Sequence, residues 1–153
     1  MGSSTARVHK EDGLLTLEPG AVLKVGTANV AASVTFTFTA AASTVSECAI
    51  AVLDGAGVAV TTPQVIHFWL SDAATGLGLT GTAATTLAVK SACGTDLSVL
   101  VAAKADLVQT LATGIYTSNI TSSAKTLYYV AAYLPAVGKT FVSRVMVTGD
   151  YGA

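Results

Sequence analysis

The sequence predicts an all-β protein: a β-sandwich, immunoglobulin-like or jelly-roll-like, preceded by an extended N-terminal arm carrying short β pieces. Three observations predict it. Val and Thr are abundant, and both are β-branched residues that sit well on a pleated surface. Short alternating runs recur at roughly 8–12-residue spacing with turn signals between them, the pattern of a sandwich. No 20–50-residue repeat or low-complexity block competes with that reading.

Residues 1–30 form the predicted arm and 31–153 the sandwich. Ala6–Gly13 is charged and has no apolar period, whereas Leu14–Leu17 and Ala21–Val25 read as short β pieces around the turn sequence Glu18-Pro19-Gly20. Pieces this short cannot bury a face alone, because an isolated hairpin is at best marginal in water. They need a partner surface, from this chain or another.

Ser33–Thr39 alternates without a break and places Val34, Phe36 and Phe38 on one face. Glu47–Leu53 follows as a strand, and Asp54-Gly55-Ala56-Gly57 turns it into Val58–Val60. Pro63 breaks the pattern. Gln64–Ser71 then carries Val65, His67 and Trp69 on one side and Ile66, Phe68 and Leu70 on the other, which predicts a central strand buried on both faces. Residues 72–78 read as a loop and Thr86–Lys90 as a strand. Leu97–Leu111 fits a helical period in part, but the reading favours a strand near 106–111. Thr126–Leu134 and Thr140–Thr148 are the last two strands, with Phe141, Ser143, Val145 and Val147 sharing a face.

Only 11% of residues are charged, against about 25% in average soluble chains. So few charges are unusual for a free monomer and suit a subunit packed against neighbours. The net charge is −1 and the eight basic residues are scattered, so neither nucleic acid nor an anionic membrane is an expected partner. The opening residues lack an apolar signal core, and no apolar stretch approaches the ~18–20 residues of a span. The chain is therefore expected to be soluble and made in a cytoplasm. Cys48 and Cys93 are expected to be buried free thiols, as cytoplasmic disulfides are rare.

Catalytic chemistry finds no pattern. His9 lies in the charged arm and His67 in mid-strand beside Trp69, with no nucleophile elbow and no cysteine in a nucleophile context. There is no Cys-x-x-Cys, no His-x-x-x-His and no EF-hand loop, so neither metal nor cofactor is expected. Gly138-Lys139-Thr140 resembles the end of a phosphate-binding loop but enters a strand and lacks the glycine cradle. Asn119-Ile120-Thr121 reads as an exposed polar turn. Trp69, Tyr128, Tyr129 and Tyr133 are the candidate surface aromatic site, a platform on which host glycans would stack; Tyr129 and Tyr133 share a face that Tyr128 opposes.

Several of these pieces, taken in order, resemble small virion proteins of tailed bacteriophages, of the head-decoration, cement or head-fibre type. Ala6–Gly13 resembles their charged opening and Leu14–Gly26 the segment that follows it. Ser71–Gly76 resembles their Ser-Asp-Ala-x-x-Gly turn, and Tyr128–Ala131 and Leu134–Ser143 their C-terminal motifs. The usual Gly-Gly-rich continuation is shortened here. The resemblance implies a non-enzymatic structural subunit on the capsid surface, a homotrimer whose arms contact the major capsid protein. The contacting residues would be Arg7, Val8, His9, Lys10, Leu14, Leu15, Leu17, Val22, Leu23 and Val25. The alternative is a carbohydrate- or host-surface-binding sandwich module of a tail or fibre.

Overall fold

The computed structural model describes the backbone of residues 9–11, 14–16, 24–25 and 28–153, with side chains from Asn29 onward. Four short strands come first: β1 (His9–Glu11), β2 (Leu14–Thr16), β3 (Lys24–Val25) and β4 (Ala28–Asn29). β1 pairs with β2 and β3 with β4, both antiparallel. Nine further strands follow: β5 (Ala31–Ala40), β6 (Val45–Asp54), β7 (Val65–Ser71), β8 (Thr86–Val89), β9 (Thr95–Val101), β10 (Ala105–Gln109), β11 (Ile115–Thr121), β12 (Tyr129–Leu134) and β13 (Lys139–Val145). They form a five-stranded sheet in the order β13-β12-β7-β10-β9 and a four-stranded sheet in the order β5-β6-β11-β8. The ladders are antiparallel, and the two sheets face each other as a β-sandwich. No helix among the described residues is long and apolar enough to cross a membrane.

Alternation decides which side chains face inward. On β6 every second residue is buried, so Cys48, Ile50 and Val52 enter the core; on β7 it is Ile66, Phe68 and Leu70. Tyr116 and Ile120 of β11 and Val130, Ala132 and Leu134 of β12 complete the inner layer. Full burial of a large apolar side chain contributes about 1.5–3 kcal/mol relative to exposure. These two inner faces therefore hold the fold.

The turns are built by side chains as well as by glycine. Asp54 Oδ1 accepts the backbone N–H of Ala56 and of Val58, and Gly57 takes φ +79°. The predicted turn is present, but past it only Leu53 and Ala59 bridge, so Val58–Val60 makes no full strand. Asn29 Nδ2 donates to Asp54 Oδ2, tying the start of the sandwich to this turn.

At the other end the chain is clasped. Arg144 donates two bonds to Asp150, of 2.7 and 2.6 Å, while its guanidinium lies 5.0 Å from the centre of the Phe38 ring. Arg144 holds the Asp150 carboxyl below its usual range. Gly152 lies so close to the turn after β5 that an added Cβ would fall 1.6 Å from the carbonyl oxygen of Ala41. Only glycine fits there.

The strand expected near 106–111 is present as β10, and it forms a hairpin with β9 through Ala103, which takes φ +52° without being glycine. Four expectations need correction. Asn119-Ile120-Thr121 is no exposed turn but part of β11, flanked by β6 and β8, with Ile120 fully buried. β7 is central, yet only its inner face is fully buried; Val65 is exposed, and His67 and Trp69 are half-buried. The last strand ends at Val145, where the Arg144–Asp150 clasp and the short helix Thr148–Asp150 take over. Both cysteines are free; Cys48 is buried, with its thiol pushed well up by that burial, but Cys93 is only half-buried.

Candidate functional site: an aromatic groove beside an open sheet edge

The outward residues of the five-stranded sheet stand in register. Trp69 on β7 has Ala131 of β12 on one side and Ala105 of β10 on the other. Two alanines leave room for the indole on the sheet surface. His67, one pleat away, lies between Tyr133 and Leu107, and the His67 and Tyr133 rings meet edge-on with centroids 5.9 Å apart. Thr140 of β13 lies beyond Tyr133.

The loop after β7 folds back on this face. Gly76, at φ +70°, accepts a 2.9 Å hydrogen bond from the Trp69 indole N–H. An added Cβ at Gly76 would meet Val142 at 2.7 Å and Ala131 at 3.0 Å. Without glycine the loop could not lie so close to the sheet. Further along, Asp72 accepts the Thr80 hydroxyl at 2.6 Å and the Gly81 N–H at 2.8 Å, which hold its carboxyl below the usual range. Lys104 Nζ donates to the Thr80 and Gly81 carbonyls. The loop is thereby fastened to the β9–β10 turn.

Loop and sheet together enclose a groove of about 410 Å³ lined by His67, Trp69, Tyr133 and Thr140 with Leu79, Leu100, Val101, Ala105 and Phe68. That volume lies at the lower end of the range for small-ligand sites. Its polar groups are few: the His67 ring nitrogens and the Tyr133 and Thr140 hydroxyls.

One wall belongs to β9, the edge strand. Its seven residues are all exposed, and it pairs with β10 on one side only. Register shifts between Ala105 and Asp106 and between Leu107 and Val108 leave bulges, so Leu97 and Leu100 are both extra residues on β9.

On the inward side of β9, running from its exposed rim into the core, lies an acid pair, Asp96 and Asp106. Asp96 Oδ1 accepts the Tyr116 hydroxyl at 2.6 Å, and its Oδ2 accepts the Val89 N–H at 3.2 Å. Asp106, on the inward face of β10 opposite Phe68, is 2% exposed, and its Oδ2 has no partner among the described residues. Burial, reinforced by the Asp96 charge, pushes its carboxyl up to about 6. Burial also raises the Tyr116 phenol, which is fully buried at Asp96. Among the described residues no three His, Cys, Asp or Glu side chains converge as a metal site would require.

Of the aromatic residues singled out from sequence, Trp69 and Tyr133 line the groove. Tyr129 shares their face but sits opposite Ser71 and does not line it. Tyr128 does not belong to a surface site: it is fully buried in the core. Of the predicted contacting residues, His9 and Lys10 lie in β1, Leu14 and Leu15 in β2 and Val25 in β3. Arg7, Val8, Leu17, Val22 and Leu23 lie outside the described residues. Sequence reasoning missed Leu79, Leu100, Val101 and Thr140 as groove residues. The one signal was the uncharged run Leu97–Val101 that follows Asp96.

Comparisons with protein-family models, curated proteins and solved structures return no match for this chain.

Proposed function

We propose that this chain is a non-enzymatic structural subunit of a bacteriophage virion, a decoration or cement protein of the capsid surface attached through its N-terminal segment. The observation that carries the reading is the division of labour along the chain. Among the described residues, β1–β4 join ladders only with one another, while the nine strands of the sandwich close around a core of their own. Described N-terminal strands that join neither sandwich sheet are available to a neighbour, where added strands give affinity through backbone hydrogen bonds. On a lattice many weak copies of such a contact sum through avidity. The low charge and the order of the virion-like motifs support the same reading.

The test is co-sedimentation with capsids of the parent phage that lack this protein. Deleting residues 1–26 is expected to leave the far-ultraviolet β signature intact and to abolish capsid binding. Capsid binding at wild-type strength by the folded truncation would refute the proposal.

A second reading, a glycan-binding module, has the groove in its favour, because Trp69 and Tyr133 line it at the surface. It expects hits on a glycan array that are lost in Trp69→Ala. An array without hits, or hits indifferent to that substitution, would dispose of it.

A further inference from the structure

We propose that β5, an edge strand of the four-stranded sheet, pairs antiparallel with β5 of a second copy of this chain across a two-fold axis at Phe36. The contact uses none of the N-terminal segment on which the reading above rests, and it is tested without capsids.

The backbone of β5 is laid out for such a contact. In an antiparallel ladder, successive residues turn their N–H and C=O groups to alternate sides. Val52 of β6 donates to the Gly114 carbonyl and accepts from the Val60 N–H, so it faces away from β5. Its neighbours Leu53 and Ala51 therefore bond across to Ser33 and Thr35 of β5, and Ala49 to Thr37. Val34, Phe36 and Phe38 are left with their N–H and C=O groups directed at the open side, where none has a partner among the described residues. The usual protections of an edge, a lysine, a proline, an inward charge or a bulge, are missing. β5 holds no charge and no proline, and its ladder with β6 runs from Ser33 to Ala40 without a register shift. The other edges of the sandwich differ: β9 has two bulges and Asp96, β13 carries Lys139 and Arg144, and β8 has four residues.

The occupant follows from the register. An uncharged edge is matched by an uncharged strand whose free groups alternate in the same way, and β5 of another copy is such a strand, already extended. A two-fold axis at Phe36 sets Phe36 against itself, Val34 against Phe38, Thr35 against Thr37 and Ser33 against Thr39. Hydroxyls thus meet hydroxyls on the outer face, where the three threonines are exposed, and apolar groups meet apolar groups on the inner face. The free groups of Val34, Phe36 and Phe38 then exchange about six hydrogen bonds. The register also respects Arg144, which lies over Phe38 with its charge held by Asp150. It places the smaller Val34 opposite that crowded ring, whereas an axis at Thr37 would bring Phe36 there. Pairing stays clear of the C-terminal clasp, because Gly152 meets the turn at Ala41, beyond the paired residues. The contact is isologous and closes on two copies, joining their four-stranded sheets into one.

The test uses the full chain in sedimentation equilibrium up to about 100 μM, a range that reports weak self-association. The wild type is expected to approach twice its 15.3 kDa mass as concentration rises. Thr35→Lys combined with Thr37→Lys, both at exposed outer-face positions, sets like charges opposite each other on either side of the axis and should weaken association at least about tenfold. Thr35→Glu combined with Thr37→Lys sets opposite charges there and should associate at least as well as the wild type, a recovery that misfolding could not produce. Val99→Lys, on the β9 edge, should leave association unchanged. A wild type that stays monomeric overturns the proposal, and so does a limiting mass of three chains. A Glu/Lys variant as weak as the doubly lysine-substituted one overturns the register. A dimer that forms only after deletion of residues 1–26 overturns the proposal too, because the chain's own N-terminal segment would then hold the edge. Loss of capsid binding with self-association preserved, or the reverse, separates this proposal from the one above.

Discussion

Replacing Tyr116 by alanine is expected to destabilise the fold by about 3–5 kcal/mol, the cost of removing a large aromatic group from a core. That is a large share of the about 5–15 kcal/mol by which domains are stable. Tyr116 joins three parts of the molecule. Its ring packs against Phe68 across the two sheets, with centroids 5.7 Å apart. It also fills the space in front of Gly94, where an added Cβ would fall 2.4 Å from Cδ2 of Tyr116. Its hydroxyl reaches through the rim of the core to Asp96 on the edge strand. Tyr116→Phe separates the last of these from the rest: a hydrogen bond to a charged acceptor contributes about 1.5–3 kcal/mol, so the phenylalanine variant should lose no more than that. Urea denaturation reads both as shifts of the midpoint at unchanged slope. A loss below about 1 kcal/mol for the alanine variant would mean that the two sheets do not depend on this contact.

The same residues explain how far the sequence could be read. Val34, Phe36 and Phe38 alternate with threonine, so β5 was legible from period alone, and the structure extends it only to Ala31–Ala40. β11 was not, because its inward residues Tyr116, Ser118 and Ile120 are interleaved with Thr117 and Asn119. A strand that fills its central inward position with serine loses the polar–apolar contrast on which the reading depends. The β9–β10 hairpin hid for a related reason. Its turn, Ala102-Ala103-Lys104, has none of the usual turn residues, and Ala103 takes a left-handed conformation that favours glycine. Tyr133 stood out through its even spacing with Tyr129 on one strand face, whereas Trp69 lay on a strand whose two apolar faces predicted burial on both sides. The groove they line was not legible, since it exists only where β9, a distant loop and the β7–β12 pair converge, through contacts such as Lys104 with the Thr80 and Gly81 carbonyls.

Asp106→Asn is expected to stabilise the protein at neutral pH, which is the reverse of the usual effect of a core substitution. Asp106 sits between the sheets with an unpartnered oxygen, and its carboxyl titrates near 6 in the folded state, against about 3.9 in an unfolded chain. Between those values the native protein holds a proton that the unfolded chain has released. Its stability therefore falls as pH rises through that window, and the loss is complete above about 6. Keeping the ionised carboxylate between the sheets costs about 2–3 kcal/mol, the amount the uncharged amide is expected to recover at pH 7.5. At pH 4 both proteins carry a neutral group there, and the difference should vanish. Asp72 and Asp150 act in the opposite sense, since their folded carboxyls lie below the usual range and their stabilisation is lost as pH falls. For that reason the informative quantity is the difference between wild type and variant, measured by urea denaturation at pH 4, 5.5 and 7.5, and not either profile alone. A difference that is flat across the three, or an asparagine variant weaker than wild type at pH 7.5, would show that the Asp106 carboxylate finds a cation or water that relieves its burial. The prediction also couples to Tyr116, because opening the core there admits water to both carboxylates. In the Tyr116→Ala background the benefit of Asp106→Asn should shrink, a non-additivity that a double-mutant cycle measures directly.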